Sequence, residues 1–322
     1  MQKQNRSFSY FILLFLGGIF FIHGISSCAK EKKINAAGLK MQDFLCELSA
    51  YTRSYKSNFI LLPQNGMEVV FENIDPEREP DARVMAAIDG FGVEELFEAE
   101  NAKDSEYRVK MCDKIRQYRT ITVADYLKKT SADDFYARCG EHHFIGFPRM
   151  SNNYSYEHIL TPVKNENADN VTSLSAIRNF LYLISNNQYG SKTEMLNALR
   201  ATNFDMLIID AFFEEELWTA AEINSLKTKA NGGKRIVLAY MNIGAAEKYR
   251  YYYQDHWKLR KPKFLKKKYP GYEDEIFVEF WDQQWKDIIY GNDDSYAKKI
   301  INASFDGVFL DNIEAYYSLY KK

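Results

Sequence analysis

Residues 205–244, DMLIIDAFFEEELWTAAEINSLKTKANGGKRIVLAYMNIG, contain the pattern that decides the fold. Two apolar runs, DMLIIDAF (205–212) and RIVLAYMNIG (235–244), stand on either side of residues 219–231, which have helical spacing. A continuous apolar run is typical of a strand that is covered on both faces, as in a parallel sheet. The stretch therefore predicts a strand–helix–strand unit.

The same pattern recurs along the chain. Short apolar runs that end in polar residues also occur at 58–66, 86–94, 119–126, 143–149, 179–187 and 306–312. Segments with helical spacing lie between most of these runs, at 34–56, 104–117, 131–139, 191–201 and 293–303. Eight such strands predict an α/β fold, a (β/α)8 TIM barrel, with a doubly wound open sheet as the alternative. No GxGxxG string follows a strand, which argues against the nucleotide-binding form of that alternative.

Two regions interrupt the alternation. Residues 150–176 are rich in Asn, Ser and Thr and have little periodicity, which predicts a linker or a long surface loop. Residues 245–278 form a long aromatic and basic insertion between two strands. Its tyrosines and Trp257 either line a substrate site or pack against the core, and its lysine run, 266–268, is interpreted as solvated.

The N-terminal segment reads as an export signal. Lys3 and Arg6 precede an apolar run, and small residues then precede Cys28 in the string ISSC. The apolar run is short, which favours a signal peptide over a membrane span. The string resembles a bacterial lipobox, in which the cysteine is acylated; ordinary signal cleavage beside an incidental cysteine is the alternative.

The lipobox interpretation divides the chain into a lipoprotein signal peptide (1–27), a lipidated tether (28–36) and a single domain (37–322). Acylated Cys28 would attach the domain to a lipid membrane. The predicted location is therefore the bacterial cell envelope, lipid-anchored at the outer membrane and facing either the periplasm or the surface.

Composition excludes several classes of protein. The chain has 42 Lys and Arg against 44 Asp and Glu, and this balance argues against a nucleic-acid partner. Hydrophobic residues make up 46% of the 322 residues, which excludes global disorder. Cys46, Cys112 and Cys139 form neither an even disulfide set nor a zinc pattern, so they are predicted to pack as small hydrophobes. The sequence predicts no cofactor.

Acids and amides follow the predicted strands. The carboxyl ends of barrel strands converge on one face, where we expect Asn65, Glu68, Glu94, Glu95, Asp125, Asn186, Asn187, Asp210, Asn242, Glu247, Asp311, Asn312 and Glu314. The chain has no GxSxG elbow and no HExxH motif. A face rich in carboxylates fits glycoside hydrolysis, which needs one protonated and one ionised carboxyl group. A divalent-metal site is the rival use of the same residues.

Five strings resemble a known family. They are NFILLPQNG (58–66), AIDGFGVEELF (87–97), FDMLIIDAF (204–212), KRIVLAYMNIGAAEKYR (234–250) and FDGVFLDNIEAY (305–316). Similar strings occur in the endo-α-1,4-polygalactosaminidase-like glycoside hydrolases, family 114 and its relatives. The resemblance covers nearly all of 40–322 and implies a TIM barrel that hydrolyses a cationic amino-sugar polymer.

The order of these strings differs from that of the family. There, PQNG-like and GVED-like strings follow the FDGVYLD-like one, whereas here they precede it. Family strands five to eight would then lie at 58–149, and strands one to four at 179–312. A helix at 41–56 matches the one that follows the family's fourth strand. The resemblance therefore implies a circular permutation, with residues 150–176 joining the former ends.

The resemblance also implies the site. Asp311 falls at the family's strand-four aspartate and Glu94 at its strand-six glutamate, so they are the expected catalytic pair. We assign Glu94 as acid/base and Asp311 as the other carboxylate, with the reverse as the alternative. The expected substrate-binding residues are Asn65, Glu68, Asp125, Asp210, Tyr240, Glu247 and Asn312. Ala245 and Met67 replace two family glutamates, which implies a changed sugar specificity or weakened catalysis.

The expected function is that of a membrane-anchored lipoprotein glycoside hydrolase, endo-acting on a galactosamine-type polysaccharide through two carboxylates. The alternative is a non-catalytic surface lipoprotein that binds glycan or scaffolds a complex. An aminoacyl-tRNA-synthetase-like role, a label that some relatives carry, is excluded because the chain has no HIGH or KMSKS motif.

Overall fold

The computed structural model describes residues 24–99, 101–150, 153 and 155–321, with side chains from residue 29 onward. Residues 1–23 of the predicted signal peptide and the side chain of Cys28 lie outside the described part. Among the described residues, no helix combines the length and the apolar character required of a membrane span.

Parallel strands form the centre of the molecule, one inside each of the eight predicted apolar runs. They are β1 (Ile60–Pro63), β2 (Gly90–Glu94), β3 (Thr120–Tyr126), β4 (Ile145–Arg149), β5 (Leu181–Leu183), β6 (Met206–Asp210), β7 (Ile236–Asn242) and β8 (Gly307–Asp311). One parallel sheet has the order β1-β8-β7-β6-β5, and a second has the order β2-β3-β4. A parallel bridge between Gln64, which follows β1, and Gly92 of β2 links the two sheets.

The two sheets share one core. Gly92 of β2 lies against Phe309 of β8, and a Cβ atom at Gly92 would come within 2.9 Å of that ring. Tyr182 of β5 contacts the same phenylalanine with ring centroids 4.9 Å apart. Phe147 of β4 and Phe180, directly before β5, are also in ring contact at 5.5 Å. The predicted α/β fold with parallel strands is confirmed, whereas closure of the barrel and circular permutation stay predictions.

Helices alternate with the strands. They are α1 (Gly24–Tyr55), α2 (Ala82–Ala87), α3 (Ala102–Arg116), α4 (Ala132–Glu141), α5 (Lys192–Arg200), α6 (Ala220–Leu226), α7 (Gln283–Ile289), α8 (Tyr296–Asn302) and α9 (Ala315–Ser318). Short 3-10 helices span Met67–Val70, Glu72–Ile74 and Leu174–Ala176. Side-chain caps fix several starts; Thr219 and Glu222 form a complete capping box at α6. Residues 28–36, predicted as a tether, belong to α1.

The long first helix packs against the part of the chain that leads into β8. Phe44 of α1 contacts the rings of Phe280 and Tyr290, with centroids 6.1 and 5.1 Å away. At the other end of α1, Lys56 Nζ donates to Asp306 Oδ1 at 3.0 Å, immediately before β8. Helix α1 is therefore a neighbour of both β1 and β8, which are paired to each other.

The insertion after β7 differs from the predicted long loop. It forms a three-stranded antiparallel sheet of Ala245–Glu247, Leu265–Lys268 and Glu275–Val278. A two-stranded ribbon, Phe212–Phe213 with Glu216–Leu217, follows β6. Trp257 packs against Tyr253 and Phe264, at 5.1 and 5.3 Å between centroids. Long-range pairing gives this insertion a fixed shape, which a local reading of its sequence missed.

Candidate active site

The strand register brings the acids together at one end of the sheets. Asp311, the last residue of β8, lies opposite Asn242 of β7, and Asp210 of β6 lies opposite Tyr240. Glu94 ends β2, next to the bridge that joins the two sheets. These residues all stand at carboxyl ends of parallel strands, the edge that carries active sites in folds of this kind.

Asp311 lies half-buried at the centre of this edge. Tyr240 Oη donates to its Oδ2 atom at 2.6 Å, and the backbone N–H of Asn312 donates to Oδ1 at 2.7 Å. Burial raises the pKa of Asp311 to about 7, and the nearby Glu94 carboxylate adds to the rise. A carboxyl group with this pKa is partly protonated at neutral pH and can donate a proton.

Glu94 is held by neighbours from several parts of the chain. Tyr156 Oη donates to Glu94 Oε1, and Asn65 Oδ1 accepts from the Glu94 backbone N–H at 3.0 Å. Arg149 stands close enough that Glu94 stabilises its charge. A hydroxyl donor and a nearby guanidinium group both favour the ionised carboxylate. Glu94 thus contacts a hydroxyl donor and lies near a guanidinium group, whereas the pKa of Asp311 is raised by burial and by the nearby Glu94 carboxylate.

Asn65 and Asp125 act mainly on the loop after β2. Asp125 is fully buried, and its two oxygens accept from the backbone N–H groups of residues 96, 97 and 98, at 2.8, 2.7 and 3.2 Å. Arg108 Nη2 donates to Glu94 O at 2.6 Å and reaches Asn65 Oδ1 at 3.4 Å. Asp125, expected to bind substrate, therefore uses its carboxylate to fix the loop.

Asp210 and Glu247 share one arginine. Arg250 makes a two-pronged contact with Asp210, both distances being 2.7 Å, and its Nε atom donates to Glu247 Oε2 at 2.7 Å. Tyr249 Oη donates to the other Glu247 oxygen. Both acids were predicted at the site from the sequence, whereas Arg250, their shared partner, was not. Much of their hydrogen-bonding capacity goes to Arg250.

Three further carboxyl groups line the same region. Burial raises the pKa of Glu275 well above its usual value, and Glu247 and Asp311 add to the rise. Burial also raises the pKa of Glu314 to about 8, with Asp311 as the next cause. Glu68 is likewise raised by burial, and Tyr316 Oη donates to it at 3.2 Å. Such a concentration of carboxyl groups favours protonated forms or a cation among them.

Two polar atoms at this edge are buried with no hydrogen-bond partner, Gln64 Nε2 and Glu314 Oε2. Gln64 follows β1 and Glu314 follows β8, so they belong to neighbouring strands. A buried donor or acceptor that stays unpaired costs free energy. Both atoms are therefore available to a bound molecule.

The unpaired oxygen of Glu314 predicts a stability cost that depends on pH. The folded pKa of about 8 exceeds the unfolded value, so the folded chain binds more protons between them, and stability falls as pH rises through that window. We expect Glu314→Gln to raise the free energy of unfolding by about 3 kcal/mol at pH 8, with the gain vanishing near pH 4.

Urea unfolding of both chains at several pH values measures this gain. Glu72→Gln is the matched control, because Glu72 is exposed and should leave the pH dependence unchanged. A Glu314→Gln chain that is no more stable than the parent at pH 8 would contradict the cost assigned to the buried carboxyl group.

The two departures from the family pattern differ in position. Met67 is buried, with its sulfur 3.2 Å from Cys112 Sγ of α3, so its side chain packs in the core. Ala245 is also buried, and its backbone N–H donates to Asn242 Oδ1 at 2.9 Å. Asn242 Nδ2 in turn donates to Glu275 Oε2 at 3.3 Å. Glu275, from a later strand of the insertion, thus supplies a carboxyl group close to the position of Ala245.

Asn312 contributes through its backbone. It has a positive φ of 61°, and its N–H is aimed at Asp311. Gly244 permits this loop arrangement, since a Cβ atom there would lie 2.1 Å from the Asn312 carbonyl oxygen. The loops after β7 and β8 are therefore in direct backbone contact, and this contact helps to fix Asp311.

Sequence reasoning missed the cationic and phenolic partners of the acids. Tyr156 lies in the segment predicted as a linker, and Arg149 and Arg250 were not selected. For Arg250 the signal was the i,i+3 spacing from Glu247. Tyr156 had no comparable signal, because its contact with Glu94 spans 62 positions in sequence.

The described residues contain no group of three or more His, Cys, Asp or Glu side chains arranged to hold a metal ion.

Comparison with known proteins gives one family. The Glyco_hydro_114 model, glycoside-hydrolase family GH114, matches residues 161–321, which is half of the chain. Uncharacterized proteins are similar over shorter stretches: one of Methanocaldococcus jannaschii is 33% identical over 153 residues, covering 47% of this chain and 41% of that protein. One of Deinococcus radiodurans is 35% identical over 122 residues (38% and 37%), and one of Thermotoga maritima 28% over 118 residues (37% and 35%). The chain thus spans about two fifths of the length of these relatives.

Proposed function

Because the chain belongs to glycoside-hydrolase family GH114, we propose that it hydrolyses the glycosidic bonds of an amino-sugar polysaccharide. GH114 is a (β/α)8 barrel family, and the parallel strands described above suit that architecture. The observation that carries the proposal is the pair Glu94 and Asp311. They stand at carboxyl ends of strands and interact electrostatically, and burial raises the pKa of Asp311. Glycoside hydrolysis uses two carboxyl groups of that kind.

The environments suggest the role of each group. Asp311, with a pKa of about 7, donates its proton to the glycosidic oxygen as the bond to the sugar carbon breaks. Glu94, to which Tyr156 Oη donates and near which Arg149 lies, is the second carboxyl group of the pair. It acts on the sugar carbon directly or by taking a proton from the attacking water. This assignment reverses the one preferred from the sequence.

The charge of the site supports a substrate with free amino groups. Six carboxyl groups of the described region belong to this edge: Glu94, Asp210, Glu247, Glu275, Asp311 and Glu314. The neighbouring cations are Arg108, Arg149 and Arg250, half as many as the carboxyl groups. An ammonium group on a sugar would compensate the surplus and is attracted to it. The substrate that we propose is therefore a galactosamine-type polymer, which is cleaved at its internal glycosidic bonds.

The experiment is to incubate the full-length chain with partly deacetylated poly-α-1,4-galactosamine and to analyse the products by mass spectrometry. Hydrolysis within the polymer gives a series of oligosaccharides. Polymer that is retained by the protein but not shortened would instead support the non-catalytic glycan-binding alternative.

We also propose that acylated Cys28 anchors the chain to a membrane of the bacterial cell envelope. The support is the lipobox-like string ISSC at residues 25–28. Cys28→Ala should move the protein from the membrane fraction to the soluble fraction of cells that express it. An unchanged distribution would contradict the anchor.

We further propose that the chain is a circularly permuted (β/α)8 barrel. Strand β8 lies between β7 and β1, and α1 packs beside β8 as the helix after it would in an unpermuted chain. A rearranged chain that starts at residue 161 and passes from 320 through a short linker into 37 tests this. It should fold with the same secondary structure, and failure to fold would contradict the proposal.

A further inference from the structure

The segment after β4 is built into the site. Asn153 is fully buried, and its Oδ1 atom accepts from the backbone N–H groups of Glu157 and His158, at 2.9 and 2.8 Å. Its Nδ2 atom donates to His158 O at 3.2 Å. One asparagine side chain therefore ties residue 153 to the backbone of residues 157 and 158.

This segment is docked on the carboxyl end of β5. The carbonyl oxygen of Tyr156 accepts from the backbone N–H groups of Ile184 and Ser185, at 3.1 and 3.2 Å. These two residues directly follow β5. The segment that sequence analysis treats as a linker is thus hydrogen-bonded to the sheet at the edge where the acids stand.

The Tyr156 side chain is held on both faces. The centroid of its ring lies 4.0 Å from that of Tyr182. The guanidinium carbon of Arg149, a residue of β4, lies 4.2 Å from the Tyr156 ring centroid. Arg149 Nη2 also donates to Glu95 Oε1. These contacts leave the Tyr156 hydroxyl directed at Glu94 Oε1, to which it donates.

The backbone at Tyr156 is strained. Its φ of 53° lies in the left-handed region, which a residue with a bulky side chain rarely adopts. Such conformations persist where surrounding contacts determine them, and they cluster at functional sites. Here the hydrogen bonds to the end of β5 and the contact with the Tyr182 ring hold the conformation. In this conformation the Tyr156 hydroxyl is directed at Glu94.

From this geometry we infer that Tyr156 is a positioning residue that orients the Glu94 carboxylate for the reaction by donating its hydroxyl hydrogen to Oε1. The inference deepens the proposed function and rests on it for the role of Glu94. The hydroxyl donates to the charged form of the carboxylate, while the Arg149 guanidinium beneath the phenol strengthens the donor. Tyr156 thereby helps to position a carboxyl group of the site.

Other charged and titratable groups also face Glu94. They are Glu95 in the same loop, Arg108 of α3, Arg149 of β4, Asp311 of β8 and Glu314 after β8. Arg108 and Arg149 favour the ionised form, and the three carboxyl groups oppose it. The Tyr156 hydroxyl donates directly to the Glu94 carboxylate.

The test is Tyr156→Phe in the full-length chain, which removes the hydroxyl and keeps the ring between Tyr182 and Arg149. Carbon-13 NMR of labelled glutamate side chains follows the Glu94 signal, identified by its absence in Glu94→Gln. We expect the titration midpoint of that signal to move upward by about one pH unit, the effect of losing one donor to a carboxylate. The acidic limb of the pH–rate profile should move in the same direction, and kcat should fall about tenfold.

Tyr51→Phe is the matched control. It also removes a tyrosine hydroxyl, the one that donates a hydrogen bond to Asn292 O at 2.7 Å, and Tyr51 is distant in sequence from these acids. It should move neither midpoint nor profile. Substituting 3-fluorotyrosine at position 156, a stronger donor, should move the midpoint the other way and needs no loss of the ring.

The outcomes separate the two levels of the account. An unmoved Glu94 midpoint in both position-156 variants overturns the inference, whether or not the chain cleaves the polymer. If the Glu94 midpoint moves in these variants but the parent chain cleaves no polysaccharide, the result supports the positioning contact and counts against the proposed function.

Discussion

Asp311→Asn is expected to lower kcat for polymer hydrolysis by about a thousandfold, within the range that a general acid contributes. The amide matches the carboxyl group in shape but cannot deliver an acidic proton to the leaving oxygen. Its Oδ1 atom can still accept from the Asn312 backbone N–H, the contact that is 2.7 Å long in the parent chain. Because burial raises the pKa of Asp311 to about 7, the neutral amide should not lower the melting temperature at pH 8.

A matched control is available at the opposite end of β8. Asp306 directly precedes β8 and pairs with Lys56 and Lys227, at 3.0 and 2.7 Å, at the end opposite to the acids. Asp306→Asn should lower stability and leave kcat within about twofold of the parent. The assigned role of Asp311 would be wrong if Asp311→Asn kept more than about a tenth of the parent kcat.

The partner carboxylate gives a coupled expectation. Glu94→Gln should reduce kcat by a similar factor, and combining it with Asp311→Asn should cost little more than either change alone. Residues that act together in one step are strongly non-additive.

Arg250→Met is expected to lower the free energy of unfolding by about 3–5 kcal/mol, because removing one member of a buried ion group leaves its partners uncompensated. The Arg250 side chain is 4% exposed and contacts both Asp210 and Glu247, whose side chains are 17% and 1% exposed. These carboxylates raise the pKa of Arg250 well above its usual value, although burial opposes them. Urea unfolding at pH 7 measures the loss.

Arg83→Met is the control for loss of an arginine. Arg83 is 61% exposed and pairs with Asp43 and Asp81 at 3.2 and 3.5 Å, so its loss should cost less than about 1 kcal/mol. Adding Asp210→Asn and Glu247→Gln to Arg250→Met removes the stranded charges and should restore part of the stability. A loss below about 1 kcal/mol for Arg250→Met alone would contradict the buried network.

The strands could be predicted because the signal for them is local. In RIVLAYMNIG (235–244), every residue of β7, Ile236–Asn242, is buried, and the apolar run records that burial directly. The strands of the insertion at 245–278 were not predicted, for the opposite reason. Its strands are short and depend on partners up to 32 positions apart, such as Ala245 with Phe277, which no local window contains.

The site was predictable only in part. Asp311 and Glu94 were found because each ends an apolar run and matches a family string. Tyr156 and Arg250 were missed because their function lies in partners distant in sequence, Glu94 and Asp210. The substrate-binding role predicted for Asp125 stays a prediction. The sequence did not indicate that its carboxylate accepts from the backbone N–H groups of residues 96, 97 and 98.

The most direct test of the central claim is oxygen-18 incorporation. The full-length chain is incubated with partly deacetylated poly-α-1,4-galactosamine in H2¹⁸O, and the new chain ends are analysed by mass spectrometry. If the chain is a glycoside hydrolase that uses Asp311 and Glu94, we expect one ¹⁸O atom at each new reducing end. The Asp311→Asn chain should form none of these ends. Polymer that keeps its length, or fragments that form without the label, would contradict the claim that this chain hydrolyses glycosidic bonds of an amino-sugar polysaccharide.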